Sequence, residues 1–161
     1  MDDRFWDERY AAAELIWTAE PNRFLVAEVN GLAPRRALDL ACGEGRNAVW
    51  LATQGWEVTG VDFSRIGLDK AHHLAQQHQV AVEWIWADVT TYQPPPSRFD
   101  LVAILYLQLP AEPLAAALGN AVRALAPGGT LLLVSHDTTN LTRGYTAPRT
   151  PRSSTAPTTS S

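Results

Sequence analysis

The sequence predicts a doubly wound α/β domain, a mostly parallel sheet with helices on both faces. Three observations carry this expectation. Short apolar runs alternate with segments of helical period, the pattern of right-handed βαβ units. Two runs, Val102-Ala103-Ile104-Leu105 and Leu131-Leu132-Leu133-Val134, are apolar throughout, as suits strands covered on both faces. The first three runs lead into Gly43, Asp62 and Asp88, and in such sheets ligands bind at the carboxyl ends of strands.

The elements follow in order. Asp2 to Ala19 reads as a helix, because Trp6, Tyr10, Ala13 and Trp17 fall on one stripe and the opening acids favour a helix start. Glu20-Pro21-Asn22 breaks it, and a second helix runs from Asn22 to Asn30, stopping at Gly31. Ala37 to Ala41 is the first strand. Arg46 to Thr53 is helical and ends near Gly55, a residue suited to a C-cap. Trp56 to Val61 is the second strand, and Ser64 is a good N-cap for a helix to Gln77. Val82 to Ala87 is the third strand and Phe99 to Leu105 the fourth. Ala111 to Leu125 is helical, with Pro113 tolerated in its first turn. A turn at Pro127-Gly128-Gly129 leads into the fifth strand, Thr130 to Ser135.

The strand ends carry the chemistry. After the first comes Asp39-Leu40-Ala41-Cys42-Gly43-Glu44-Gly45, whose glycines let backbone approach a ligand and whose following helix offers free N–H groups. Asp62 ends the second strand about 20 residues beyond Gly43, the interval expected of an acid that accepts from ribose hydroxyls. Asp88, after the third strand, can accept from an adenine amine, and Phe63 can pack on the ring. A nicotinamide dinucleotide would share several of these features. It would also bring a pyrophosphate to a loop that holds Asp39 and Glu44, where carboxylates repel it. Those acids suit a cationic ligand, and S-adenosyl-L-methionine carries an ammonium, a sulfonium and a ribose.

The ordered set Leu38-Asp39-Leu40-Ala41-Cys42-Gly43-Glu44-Gly45, Gly60-Val61-Asp62-Phe63-Ser64, Ala87-Asp88-Val89, Phe99-Asp100-Leu101-Val102 and Leu125-Ala126-Pro127-Gly128-Gly129-Thr130-Leu131 resembles the class I S-adenosylmethionine-dependent methyltransferases, which are Rossmann-like. The opening Phe5-Trp6-Asp7-Glu8-Arg9-Tyr10 is similar to that of the small-molecule methyltransferases related to tellurite-resistance and thiopurine enzymes, in which this helix lids the cofactor. The resemblance implies that Asp39 and the loop Ala41, Cys42, Gly43, Glu44, Gly45 hold the methionine part. It implies that Asp62 holds the ribose and that Asp88 with Val89 holds the adenine. Tyr106 and Leu107 would line the methyl-transfer side, with Trp6 and Tyr10 on the lid. Ala41 stands where the family has glycine, and its methyl is tolerated where φ is negative.

Several residues have plainer readings. Cys42 suits a small loop position better than a nucleophile, since no histidine adjoins it in sequence. Trp84 and Trp86 share a strand face and read as core, whereas His72, His73 and His78 sit on a charged helix and read as solvated. His136, just after the fifth strand, is the candidate for a catalytic role, with a plain loop as the alternative. No metal site is indicated. Methyl transfer to a polarisable acceptor such as sulfur proceeds by in-line attack and needs no general base, so positioning and desolvation would supply the catalysis.

Composition limits the partners. The chain has 161 residues, net charge −4, and a single cysteine. Acidity argues against nucleic-acid or anionic-membrane partners. One cysteine allows no internal disulfide, no apolar run approaches a membrane span, and the opening residues lack a signal-peptide profile, so a cytoplasmic protein is expected. Residues 1–141 are expected to form one domain, and Thr142 to Ser161, rich in Thr, Ser and Pro and lacking Leu, Ile, Val, Phe and Trp, a disordered tail. Strand order 3-2-1-4-5 follows from the resemblance, without the family's usual sixth and seventh strands. That would expose the fifth strand as an apolar edge and invite a homodimer through it. The expected activity is methyl transfer to a small-molecule acceptor. The alternatives are a cofactor-binding module without turnover and, further off, an NAD-dependent dehydrogenase.

Overall fold

The computed structural model describes residues 21–105, 107 and 109–134, and the backbone of residues 142–146. The expected opening helix, with Trp6 and Tyr10, lies outside the described residues, as do Tyr106 and His136.

The first element among the described residues is α1 (Arg23–Val29), capped by the Asn22 side chain, which accepts from the backbone N–H groups of Phe24 and Leu25. The strands are β1 (Arg36–Leu40), β2 (Glu57–Asp62), β3 (Glu83–Trp86) and β4 (Phe99–Leu105), followed by β5 (Leu125–Val134) and β6 (Thr142–Thr146). Between them stand α2 (Arg46–Thr53), α3 (Arg65–Gln77) and α4 (Ala111–Ala124). Ser64 caps α3 as expected, its side chain accepting from the Gly67 N–H at 3.0 Å. Gly55 follows α2 with φ +97°, a conformation glycine adopts without strain.

The sheet runs β3-β2-β1-β4-β5-β6. Its first five strands are parallel, in the order the sequence predicts. Two-residue alternation splits the core into two layers. Ala37, Val58, Leu101, Ala103 and Leu132 face Leu25 and Val29 of α1 and Ala48 and Leu51 of α2. Leu38, Leu40, Val102, Ile104 and Leu131 face Ala117, Ala121 and Ala124 of α4. Covering both faces accounts for the continuous apolar runs.

Two expectations about the chain end are corrected. Thr142–Thr146 is not part of a disordered tail. It forms β6, antiparallel to β5, pairing Thr130 with Thr146 and Val134 with Thr142. Consequently β5 is not the exposed edge, and a homodimer through β5 would first have to displace β6. Composition reports apolar burial alone. An edge strand is held largely by its backbone ladder, and Thr and Tyr are strand-prone residues that need no apolar alternation for it.

The turn expected at Pro127-Gly128-Gly129 is a bulge within β5. Phe99 pairs with Leu125 and Leu101 with Thr130, so residues 126–129 loop out of the ladder. A Cβ on Gly129 would stand 2.9 Å from the Ala126 carbonyl oxygen and 3.0 Å from that of Phe99, so only glycine fits.

Candidate cofactor-binding site

Parallel pairing brings the carboxyl ends of β1, β2 and β3 side by side. Asp39 is in register with Gly60, and Asp62 with Trp86. By strand parity, Asp39 and Asp62 project to the same face of the sheet, the one covered by α1 and α2. Both carboxylates are buried, at 1% and 3% exposure.

Their surroundings differ. The Ser64 N–H donates to Asp62 Oδ2 at 3.1 Å. Asp39 Oδ2 is buried with no hydrogen-bond partner among the described residues. Burial and the nearby Asp62 carboxylate push the Asp39 pKa up to about 8, against the opposing pull of Arg46. A buried acceptor of this kind is costly unless something donates to it. An ammonium group would do so and would restore the ionised form.

The glycine loop wraps this position. Ala41, Gly43 and Gly45 have φ of 65°, 59° and 86°. Ala41 therefore does not meet the condition of negative φ under which its methyl is tolerated. Its left-handed conformation is one a Cβ disfavours by about 1–2 kcal/mol, and it follows from the need to turn sharply off β1 while the Cys42 N–H donates to the Val61 carbonyl at 2.9 Å. Gly45 opens α2 and has no room for a side chain, since a Cβ there would stand 2.5 Å from Ala71 Cβ.

Cys42 is buried, and its thiol pKa is raised by burial first and then by Asp62 and Asp39. A thiol held neutral between two acids is a poor nucleophile, consistent with a packing role in the loop. Glu44, expected to lend negative charge to a ligand, is buried with its Oε2 3.6 Å from Lys70 Nζ of α3. The Glu44 charge is thus answered within the fold by Lys70, which leaves Asp39 as the acid free to meet a cationic ligand.

On the adenine side, Phe63 and Val89 are buried and Asp88 is exposed. Asp88 Oδ1 accepts from the Thr90 N–H at 2.9 Å and the Thr90 hydroxyl at 2.7 Å, which fixes the turn after β3. Leu107 is half-buried against the α4 layer. His72, His73 and His78 are exposed, as expected. The core reading of the two tryptophans holds only in part. Trp84 is half-buried and lies over Gly60, whereas Trp86 is 54% exposed.

Sequence reasoning missed three contacts. Asn47 Oδ1, at the start of α2, accepts from the Asn22 N–H at 2.7 Å and ties the entry of α1 to the glycine helix. Lys70 meets Glu44, and Trp86 Nε1 donates to the Phe63 carbonyl at 2.9 Å. All three join residues more than 20 positions apart, and no local spacing announces them. Among the described residues, no cluster of three or more His, Cys, Asp or Glu is placed to hold a metal, and no helix is long and apolar enough to cross a membrane.

A parallel sheet of order 3-2-1-4-5 that ends in a tight glycine loop, a buried carboxyl with one oxygen unpartnered among the described residues, and a second acid defines a class I S-adenosylmethionine-dependent methyltransferase domain. Comparison with known proteins agrees. Residues 37–129 match the family described as "Methyltransferase domain", and the chain belongs to that family. It is 32% identical over 130 residues to the ubiquinone biosynthesis O-methyltransferase of Alkalilimnicola ehrlichii, covering 78% of this chain and 52% of that protein. It is 30% identical over 159 residues to the thiopurine S-methyltransferase of Vibrio cholerae, covering 84% and 71%. A structure solved in work on the conversion of a disulfide into a thioacetal during echinomycin biosynthesis superposes with a TM-score of 0.73 at 25% identity, covering 84% and 59%. The chain thus spans about half the length of the first of these relatives.

Proposed function

We propose that this chain binds S-adenosyl-L-methionine at the carboxyl edge of its sheet and transfers the methyl group to a small-molecule acceptor. The observation that carries this reading is Asp39, a buried carboxyl with an unpartnered oxygen beside the glycine loop. In this reading Asp39 and the loop Ala41 to Gly45 hold the methionine portion, Asp62 the ribose, and Phe63, Asp88 and Val89 the adenine. When bound, the cofactor supplies an electrophilic sulfonium methyl. Asp39 answers the ammonium charge. The left-handed turns at Gly43 and Gly45 bring the loop backbone close, and the buried shell of Phe63 and Val89 excludes water from the adenine.

The relatives named for O- and S-methylation support an acceptor bearing a hydroxyl or thiol. An acidic chain does not favour nucleic acid as the acceptor. A cytoplasmic setting completes the reading, in keeping with one free, buried cysteine.

Calorimetry tests it. S-adenosylmethionine and S-adenosylhomocysteine should bind at micromolar level, and Asp39→Asn should weaken both at least tenfold. Absence of binding heat for either ligand would overturn the proposal. Methyl transfer would then be sought with labelled cofactor across small hydroxyl and thiol acceptors.

A further inference from the structure

Trp86 is an exposed indole whose polar end is turned inward. It is the register partner of Asp62 across β2 and β3. Its Nε1–H donates to the Phe63 carbonyl at 2.9 Å, and the Ala87 N–H donates to the Asp62 carbonyl at 3.0 Å. The two carbonyls flanking the turn after the ribose acid are therefore both held from the end of β3. From within the turn, the Ser64 N–H donates to Asp62 Oδ2 at 3.1 Å. Outside, the Arg65 guanidinium lies 4.7 Å from the Trp86 ring centroid and holds the indole against the turn. A surface tryptophan needs no inward hydrogen bond to be stable in water. This one spends its single donor on the backbone next to Asp62.

We infer that Trp86 is a positioning residue for adenosine recognition: its Nε1–H clamps the Asp62–Ser64 turn so that the Asp62 carboxylate and the Phe63 ring are preset for the ribose and the base. The inference rests on the cofactor reading above. The indole touches no reacting atom in this role. It acts through the turn, which would otherwise have to be ordered when ligand binds.

Trp86→Phe tests the clamp by keeping an aromatic ring under Arg65 while deleting the donor. Binding of S-adenosylhomocysteine and of 5′-methylthioadenosine, which keeps the adenosine but lacks the amino-acid end, is measured well below the melting temperature. Loss of one positioning hydrogen bond should weaken both about threefold to tenfold. Asp39→Asn should weaken S-adenosylhomocysteine alone. Amide exchange at Phe63 and Ser64 in the ligand-free variant should be several-fold faster, and Trp86→Leu should reproduce both effects. A merely structural tryptophan would lower the melting temperature and leave the affinities of the folded variant unchanged. That result, or a loss confined to S-adenosylhomocysteine, would overturn the inference. If the unmodified chain binds neither ligand, the cofactor reading itself fails, and unchanged exchange in Trp86→Phe would separately remove the clamp.

Discussion

Asp39 and Asp62 stand near the carboxyl ends of neighbouring parallel strands on the same face of the sheet, yet among the described residues Asp62 Oδ2 accepts from the Ser64 N–H whereas Asp39 Oδ2 has no hydrogen-bond partner. Asp39 responds by holding its proton, with a pKa of about 8 against an ordinary 3.8. A ligand ammonium that pairs with the ionised form must displace that proton. At pH 7, below the Asp39 pKa, binding of S-adenosylhomocysteine should therefore release close to one proton, and affinity should fall as pH drops from about 8. Titrations in buffers of different ionisation enthalpy measure the release, which Asp39→Asn should abolish.

The same shift has a consequence for the ligand-free fold. Between pH of about 4 and 8 the folded protein holds a proton on Asp39 that the unfolded chain has already lost. Stability from this group is thus highest at the acid end of the window and declines as pH rises through it. Asp39→Asn removes the titration, so its stability relative to the unmodified protein should climb steadily over that range. Urea melts at several pH values check this. A constant difference would show that Asp39 does not titrate there.

Much of this was legible from sequence, for physical reasons. Parallel strands buried on both faces must be apolar throughout, so β4 could be bounded at Phe99 and Leu105. A capping side chain must directly precede its helix, so Ser64 marked the start of α3. Asp39 and Asp62 were visible because strand ends are where a parallel sheet presents side chains to ligands. β6 was not visible, because a backbone ladder leaves little trace in composition. Nor was the state of Glu44, because it lies in the loop before α2, its partner Lys70 lies on α3, and only the packing of α2 against α3 joins them.

That ion pair is itself testable. Lys70 retains 21% side-chain exposure, whereas Glu44 has 2%. Lys70→Met removes the ammonium from a buried carboxylate and should destabilise the domain by about 2 kcal/mol, less than the ~3–5 kcal/mol for a fully buried pair because Lys70 is partly solvated. Adding Glu44→Gln should restore most of the loss. An additive double variant in denaturant titrations would show that the two groups do not interact.

Gly60 and Gly45 should tolerate nothing larger than hydrogen, though for different reasons. At Gly60 an added Cβ would meet Trp84 Cζ3 at 2.6 Å, and the indole is a rigid plane that must shift as a whole. At Gly45 the φ of +86° and the 2.5 Å approach to Ala71 Cβ act together. Alanine should destabilise by about 1–3 kcal/mol at Gly60, the usual range for overpacking, and by more at Gly45, where backbone strain adds to the clash. Thermal melts of the two single variants rank them, and Ala71→Gly should partly rescue Gly45→Ala alone.

Ala41 is the reverse case, a residue whose Cβ is already present where the backbone favours none. Its φ of 65° makes it one of three non-glycine residues with positive φ among those described, with Gln79 and Ser97. Gln79 and Ser97 lie outside helices and strands, whereas Ala41 sits between β1 and the ligand loop, where the chain cannot relax without moving Asp39. Relief of about 1–2 kcal/mol of strain in Ala41→Gly is opposed by roughly 0.5–1 kcal/mol of extra entropy lost on folding. The variant should therefore be more stable by about 0.5–1 kcal/mol. Affinity for S-adenosylhomocysteine should rise if the methyl also crowds the ligand and stay constant if it does not. A drop in stability on Ala41→Gly would mean that the methyl's packing against the α4 layer outweighs the strain.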